Sequence, residues 1–178
     1  NELVMEGDIF GWNYDADVRD YGIWGQGVWT LPKWEFYAGA SVSHTRFWRT
    51  GYMRNGRFPD NSYGESQKKS FFNYSGKGGL TYKIDGRNYF TLDGMFLQRA
   101  PYLRNAMVSP RTRNQFVDGL KSEKIFGGEA GYQLNAPYFK LRFTGYLTQF
   151  TDGTLTRSFF HDDERSFVTC FRWFRGHK

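Results

Sequence analysis

The sequence lacks most of what stabilises a small fold covalently or through helices. Its 178 residues contain one cysteine, Cys170, which excludes an intrachain disulfide and leaves the redox compartment open. Proline occurs five times, and no window sustains a helical apolar period, so strands are favoured over helices. No apolar run reaches the roughly 18 residues that mark a membrane-spanning helix. Spanning strands remain allowed, because each needs only about 9 to 11 residues and alternate positions can be polar. The mean hydropathy of −0.67 is therefore no argument for solubility. Histidine is scarce too: His44, His161 and His177 have no nucleophile at recognisable spacing, so neither an enzyme nor a cofactor is expected. Asn1-Glu2-Leu3 lacks the charged and apolar regions of a signal peptide, so an exported protein is expected here as a mature or partial chain.

Aromatic residues and glycine are plentiful: the former make up 20% of the chain and the latter number 21. The aromatics fall in period-2 segments. Phe36, Ala38, Ala40 and Val42 alternate with Tyr37, Gly39, Ser41, Ser43 and Thr45, giving one apolar face and one small polar face. The same division sets Leu80, Tyr82 and Ile84 against Lys77, Thr81 and Lys83, and Phe90, Leu92 and Phe96 against Thr91, Asp93 and Arg99. Further on, Phe126, Ala130, Tyr132 and Leu134 oppose Glu129 and Gln133, and Phe139, Leu141, Phe143 and Leu147 oppose Lys140, Arg142, Thr144 and Thr148.

Connections between these segments alternate in length. Leu31-Pro32-Lys33-Trp34, Asp85-Gly86-Arg87-Asn88 and Asn135-Ala136-Pro137 preset tight turns. Long loops are expected from Thr50 to Lys69, Pro101 to Ser122 and Thr151 to Arg165. The implied fold is all-β, an antiparallel up-and-down meander of about six to eight long strands whose two ends face different surroundings. Expected strand lengths of about 12 to 15 residues exceed those of globular proteins. Aromatic pairs near the turns (Trp29 and Trp34, Tyr82 and Tyr89, Tyr132 and Tyr138) suit an interfacial girdle. Glycines inside strands, among them Gly76, Gly78, Gly79, Gly94, Gly127, Gly128 and Gly131, suit a wall that bends.

The net charge of +6 raises nucleic-acid binding as a question. The cations are scattered, however, with no helix to enter a groove and no ribonucleoprotein-type aromatic motif, so no nucleic-acid partner is expected. Arg49, Arg54 and Arg57 are expected in the first long loop, and Arg104, Arg111 and Arg113 in the second.

Several runs resemble, as an ordered set, the later barrel strands of TonB-dependent outer-membrane receptors of the Bacteroidetes type. They are WRTGYMRNGRFPDNSYG (Trp48 to Gly64), GGLTYKIDGRNYF (Gly78 to Phe90), SPRTRN (Ser109 to Asn114), LKSEKI (Leu120 to Ile125) and SFFHDDERSFV (Ser158 to Val168). The resemblance implies a barrel of roughly 22 strands closed around an N-terminal plug. It also implies location in the bacterial outer membrane, contact with membrane lipid and lipopolysaccharide, a surface lipoprotein partner, and energisation of the whole receptor by the TonB system acting through that plug and an N-terminal box. The imported ligand would be a metal chelate such as a siderophore, a vitamin or a glycan. This chain carries neither plug nor box, and its strands are too few to close such a barrel. Residues 1–168 are therefore expected to form part of a receptor barrel, an arc of its wall, and residues 169–178 an aberrant tail without alternation, as from a truncated or frame-shifted gene.

Candidate contacts lie on the long loops: Arg99, Tyr102, Arg104, Arg111 and Arg113 as a cationic and aromatic surface for anionic chelates or sugars, together with Trp48 and Tyr52. The same arginines could instead pair with Asp118 and Glu123 or with lipopolysaccharide phosphates. His161, Asp162, Asp163 and Glu164 are a weak metal candidate, and Asp15, Asp17 and Asp20 a weaker acidic group. A different class of protein would share the pattern. A secreted β-sandwich that binds carbohydrate through Trp48, Tyr52 and Phe58 would cover the row Phe139, Leu141 and Phe143 with a second sheet.

Overall fold

Extended backbone dominates because β-branched and aromatic residues alternate with small polar ones over long stretches, while every proline falls between strands, where its missing N–H breaks no ladder. The computed structural model describes the backbone of residues 5–161 and 166–177, with side chains described as far as Thr154. Its strands are β1 (Tyr14–Thr30), β2 (Trp34–Gly51), the two-residue β3 (Gly64–Glu65), β4 (Lys69–Lys83), β5 (Asn88–Arg99), β6 (Glu123–Asn135), β7 (Lys140–His161) and β8 (Ser166–His177). All belong to one antiparallel sheet in the order β1-β2-β4-β5-β6-β7-β8, with β3 added to β2. The ends of that path, β1 and β8, are not paired with each other, so the sheet is open.

The three short turns lie where the residues preset them. The Leu31 amide donates to the Trp34 carbonyl at 2.7 Å and the Ala136 amide to the Phe139 carbonyl at 2.9 Å. In the second turn the Asp85 carboxylate accepts from the Arg87 and Asn88 amides at 2.8 and 2.7 Å and from the Asn88 side chain. The first two long loops are also present, between β2 and β4 and between β5 and β6. Of the expected loop from Thr151 to Arg165, residues 151–161 are strand and residues 162–165 lie outside the described residues. Strand β7 continues to His161, and the segment read as an irregular tail pairs with it as β8. The alternation fails there because the register shifts between Phe150 and Gly153, with Asp152 at a positive φ of 59°, so a bulge offsets the two halves of β7.

Pairing fixes two faces. On the first, Trp34, Tyr82, Phe90, Tyr132 and Phe143 are successive cross-strand partners from β2 to β7, an unbroken aromatic row near the short turns. Tyr89, expected in this girdle, has the opposite parity, and Phe90 takes the place. Leu80 and Leu92 lie directly across from one another in the next row on this face. Apart from Trp48 at its long-loop end, this face is uncovered among the described residues: Phe139, Leu141 and Phe143 are 58, 40 and 64% exposed.

The second face is more polar but mixed, since Trp24, Val28, Met95 and Tyr146 are exposed on it beside a run of hydrogen-bonded polar groups. Asp20 accepts from Thr45, which accepts from Asn73, which also donates to Ser43, and Ser41 and Ser75 share a hydrogen bond at 2.7 Å. The Tyr37 hydroxyl donates to Asp93 at 2.7 Å across Gly79, where a Cβ would lie 2.4 Å from the Tyr37 ring. The buried cluster sits on this face at the long-loop end only: Phe47, Ala106, Met107 and Phe116, packed on by Phe71, Ala100, Leu103 and Leu120. A two-layer domain would bury a core along its whole sheet, whereas here two loops fold onto one end of a single layer.

Candidate functional site

The long-loop end of the polar face holds the densest set of polar and cationic groups. Its organiser is Arg49, which lies within β2 and not in the loop where it was expected. Odd-numbered positions of β2 point to the polar face, so Arg49 projects beneath the loops and is 1% exposed. Its Nε donates to the Pro110 carbonyl at 2.5 Å, and Nη1 donates to the Ser62 carbonyl at 2.9 Å and to the Asn114 side-chain carbonyl. The guanidinium also lies 5.0 Å from the Tyr14 ring centroid. Asn114 completes the junction: its backbone amide donates to Asn61, and its side chain donates to the Tyr63 and Gly64 carbonyls. One cation therefore ties both long loops to the sheet. Gly51 leaves room for this, since a Cβ there would meet the Ser62 carbonyl oxygen at 1.9 Å.

The second loop carries one helical turn, α1 (Leu103–Ala106), and a return segment in which Val117 donates to Ala106 and Val108 to Gln115. Between α1, the following residues and the start of β1 lies a cleft of about 830 Å³. Arg104 and Arg111 line it with Tyr14, Asn105 and Ser109, and no carboxylate among the described residues does. Arg111 stacks 5.1 Å from the Trp12 ring centroid. Cationic and aromatic groups are thus paired over an open cavity, an arrangement that accepts anions and planar groups.

The four arginines and Tyr102 do not form one surface, and Arg99 ends β5 instead of lying in the loop where it was expected. Arg104 and Arg111 share the cleft, but Arg99 is neutralised by Glu123 at 2.7 Å and stacks on Tyr102 at 5.1 Å, the internal pairing foreseen as the alternative. Arg113 lies 4.6 Å from the Phe58 ring centroid, in a separate contact between the two loops. Trp48 is on the apolar face, 7% exposed, with Arg19 and Lys68 at 4.9 and 5.0 Å from its ring. Tyr52 is exposed and donates to Asp15 at 2.8 Å, and that hydrogen bond to a carboxylate raises its hydroxyl pKa above the ordinary 10.0. Asp15 and Asp17 share one face of β1 while Asp20 points to the other, so the pleat separates that acidic group. The candidate at His161, Asp162, Asp163 and Glu164 lies outside the residues whose side chains are described. Among the described residues no cluster of His, Cys, Asp or Glu is suited to a metal.

Arg49 and Asn114 were missed as a functional pair. Arg49 could have been found by extending the odd-position parity of β2 past Thr45, but nothing in the sequence marks Asn114 as its partner. No protein-family model, curated protein or solved structure matches the chain.

Proposed function

We propose that this chain is an arc of the wall of an outer-membrane TonB-dependent transporter, whose complete barrel imports a scarce nutrient such as a metal chelate, vitamin or glycan. The observation that carries this reading is the bare apolar face of a single-layer sheet, bounded near the short turns by the row Trp34, Tyr82, Phe90, Tyr132 and Phe143. Lipid satisfies such a face, and aromatic residues belong at its edge. The polar face then lines the lumen, the short turns are periplasmic, and the loops folded onto that face narrow the external mouth, with Arg104 and Arg111 facing an incoming anionic ligand. The sandwich reading requires a second sheet over Phe139, Leu141 and Phe143, and the described residues form one sheet.

The test is insertion into phosphatidylcholine vesicles containing lipids brominated at defined depths. Quenching of Trp29 and Trp34 should be strongest with bromines near the headgroup, and removal of detergent without lipid should precipitate the chain. A monodisperse detergent-free monomer with unquenched tryptophans would overturn the reading.

A further inference from the structure

The apolar face changes character abruptly at its long-loop end. On β1 the outward residues Trp29, Ile23 and Tyr21 are exposed and apolar, and the next in this series is Arg19. On β2 Val42 is followed outward by His44 and Arg46. The register sets Arg19 directly opposite Arg46, and both are exposed. Directly opposed side chains have Cβ atoms about 5 Å apart, and two like charges at that spacing repel. Neither arginine makes an ion pair among the described residues. The acidic positions on this part of the face are Asp15, engaged by Tyr52, and Asp17, which stands opposite Trp48. A third cation, Lys68, lies over Trp48 beside Arg19, although Glu65 pairs with it at 2.9 Å.

A repulsive pair at the border of an apolar face has a physical complement. A phosphate placed between the guanidinium groups accepts from both and removes the repulsion, and acyl chains attached to it run down over Tyr21, Ile23 and Val42. We infer that Arg19 and Arg46 form a binding site for the phosphomonoester of an anionic membrane lipid, a charge that the choline-masked phosphodiester of phosphatidylcholine does not offer, with Trp48 holding the Arg19 guanidinium in place. A soluble phosphate would meet the arginines but leave the apolar rows bare, so the lipid is the occupant that satisfies both. The inference rests on the apolar face meeting a bilayer.

The full chain, refolded in detergent, is added to vesicles of phosphatidylcholine alone and to vesicles that also contain bisphosphorylated lipid A, and binding is measured by co-flotation. The phosphorylated lipid should strengthen binding, and Arg19→Gln with Arg46→Gln should lose about fivefold per arginine in those vesicles while leaving binding to phosphatidylcholine unchanged. Arg19→Lys with Arg46→Lys should keep most of the gain, and Lys33→Gln with Lys140→Gln, at the short-turn end, should keep all of it. An equal loss in both vesicle types, or no gain from lipid A, overturns the lipid site while the wall reading stands. Competition by millimolar inorganic phosphate as strong as that by lipid A assigns the arginines to a soluble anion and also overturns the lipid site. Failure of the parent chain to bind either vesicle overturns the wall reading, and the lipid site with it.

Discussion

At the scale of single residues, two positions hold more of the structure than their size suggests. Gly79 lets the Tyr37 ring cross the strand to reach Asp93; an added Cβ would lie 2.1 Å from the Asp93 carboxylate and 2.4 Å from the ring. Gly79→Ala should therefore displace Tyr37 and cost about 1 to 3 kcal/mol, read as a lower urea midpoint for the micelle-bound chain. Arg49 carries a different kind of weight. Its bonds to Pro110, Ser62 and Asn114 are charge-assisted and shielded from water, and truncation leaves their acceptors unpaired. Arg49→Met should free both loops at a cost of about 2 to 3 kcal/mol. Limited proteolysis should then cut within residues 53–63 or 108–116 well before the strands, whereas cutting at the parent rate would show the junction to be dispensable.

At the scale of elements, turns and strands make separate predictions. Asp85 holds its turn by accepting from Arg87 and Asn88, which lowers its pKa below the ordinary 3.8. Its contribution is thus fully present above that ordinary value and is lost as pH falls through the lower, folded one. Hydrogen-exchange protection of the Arg87 and Asn88 amides should hold down to about pH 4 and fall below it, and Asp85→Asn should show no such fall. In β5, Leu92 lies inside the apolar belt and Phe90 at its rim. Leu92→Arg should cost about 2 to 4 kcal/mol and Phe90→Arg about 1 or less in bilayer-bound chain, measured by equilibrium unfolding from vesicles. Equal costs would mean that depth does not matter on this face. These elements were largely legible in the sequence, because alternation and turn chemistry are local: the three turns, the first two of the three expected long loops and the alternating faces assigned within the strands follow from them, Tyr89 excepted. The bulge at Phe150 to Gly153 was not legible, since a bulged strand and a loop break the alternation alike. Nor was the loop junction, which depends on Arg49 meeting Asn114 across 65 residues of chain.

At the scale of the whole molecule, the sheet has a bare apolar face and two open edges, β1 and β8, presenting unpaired backbone groups. Single-layer sheets of this kind have no reason to stay separate in water. Light scattering on dilution from detergent should show association, and vesicles added at the moment of dilution should suppress it. The candidate mouth was only half legible at this scale. The sequence placed Arg104, Arg111 and Arg113 on the right loop but also read Arg49 and Arg99, which lie in β2 and β5, as loop residues, and only the fold shows that Arg99 is spent on Glu123 while Arg104 and Arg111 remain over the cleft.

The cross-strand register also governs how the gene can vary. Deleting Thr91 would slide Leu92 onto the opposite face and push Asp93 onto the apolar one, and the mismatch would pass to both neighbouring ladders. A deletion of the same size within residues 57–60 alters no strand pairing. Insertions and deletions are thus tolerable in the long loops and disruptive along the strands. A lineage of such chains should diverge in length almost entirely at the end that carries the long loops.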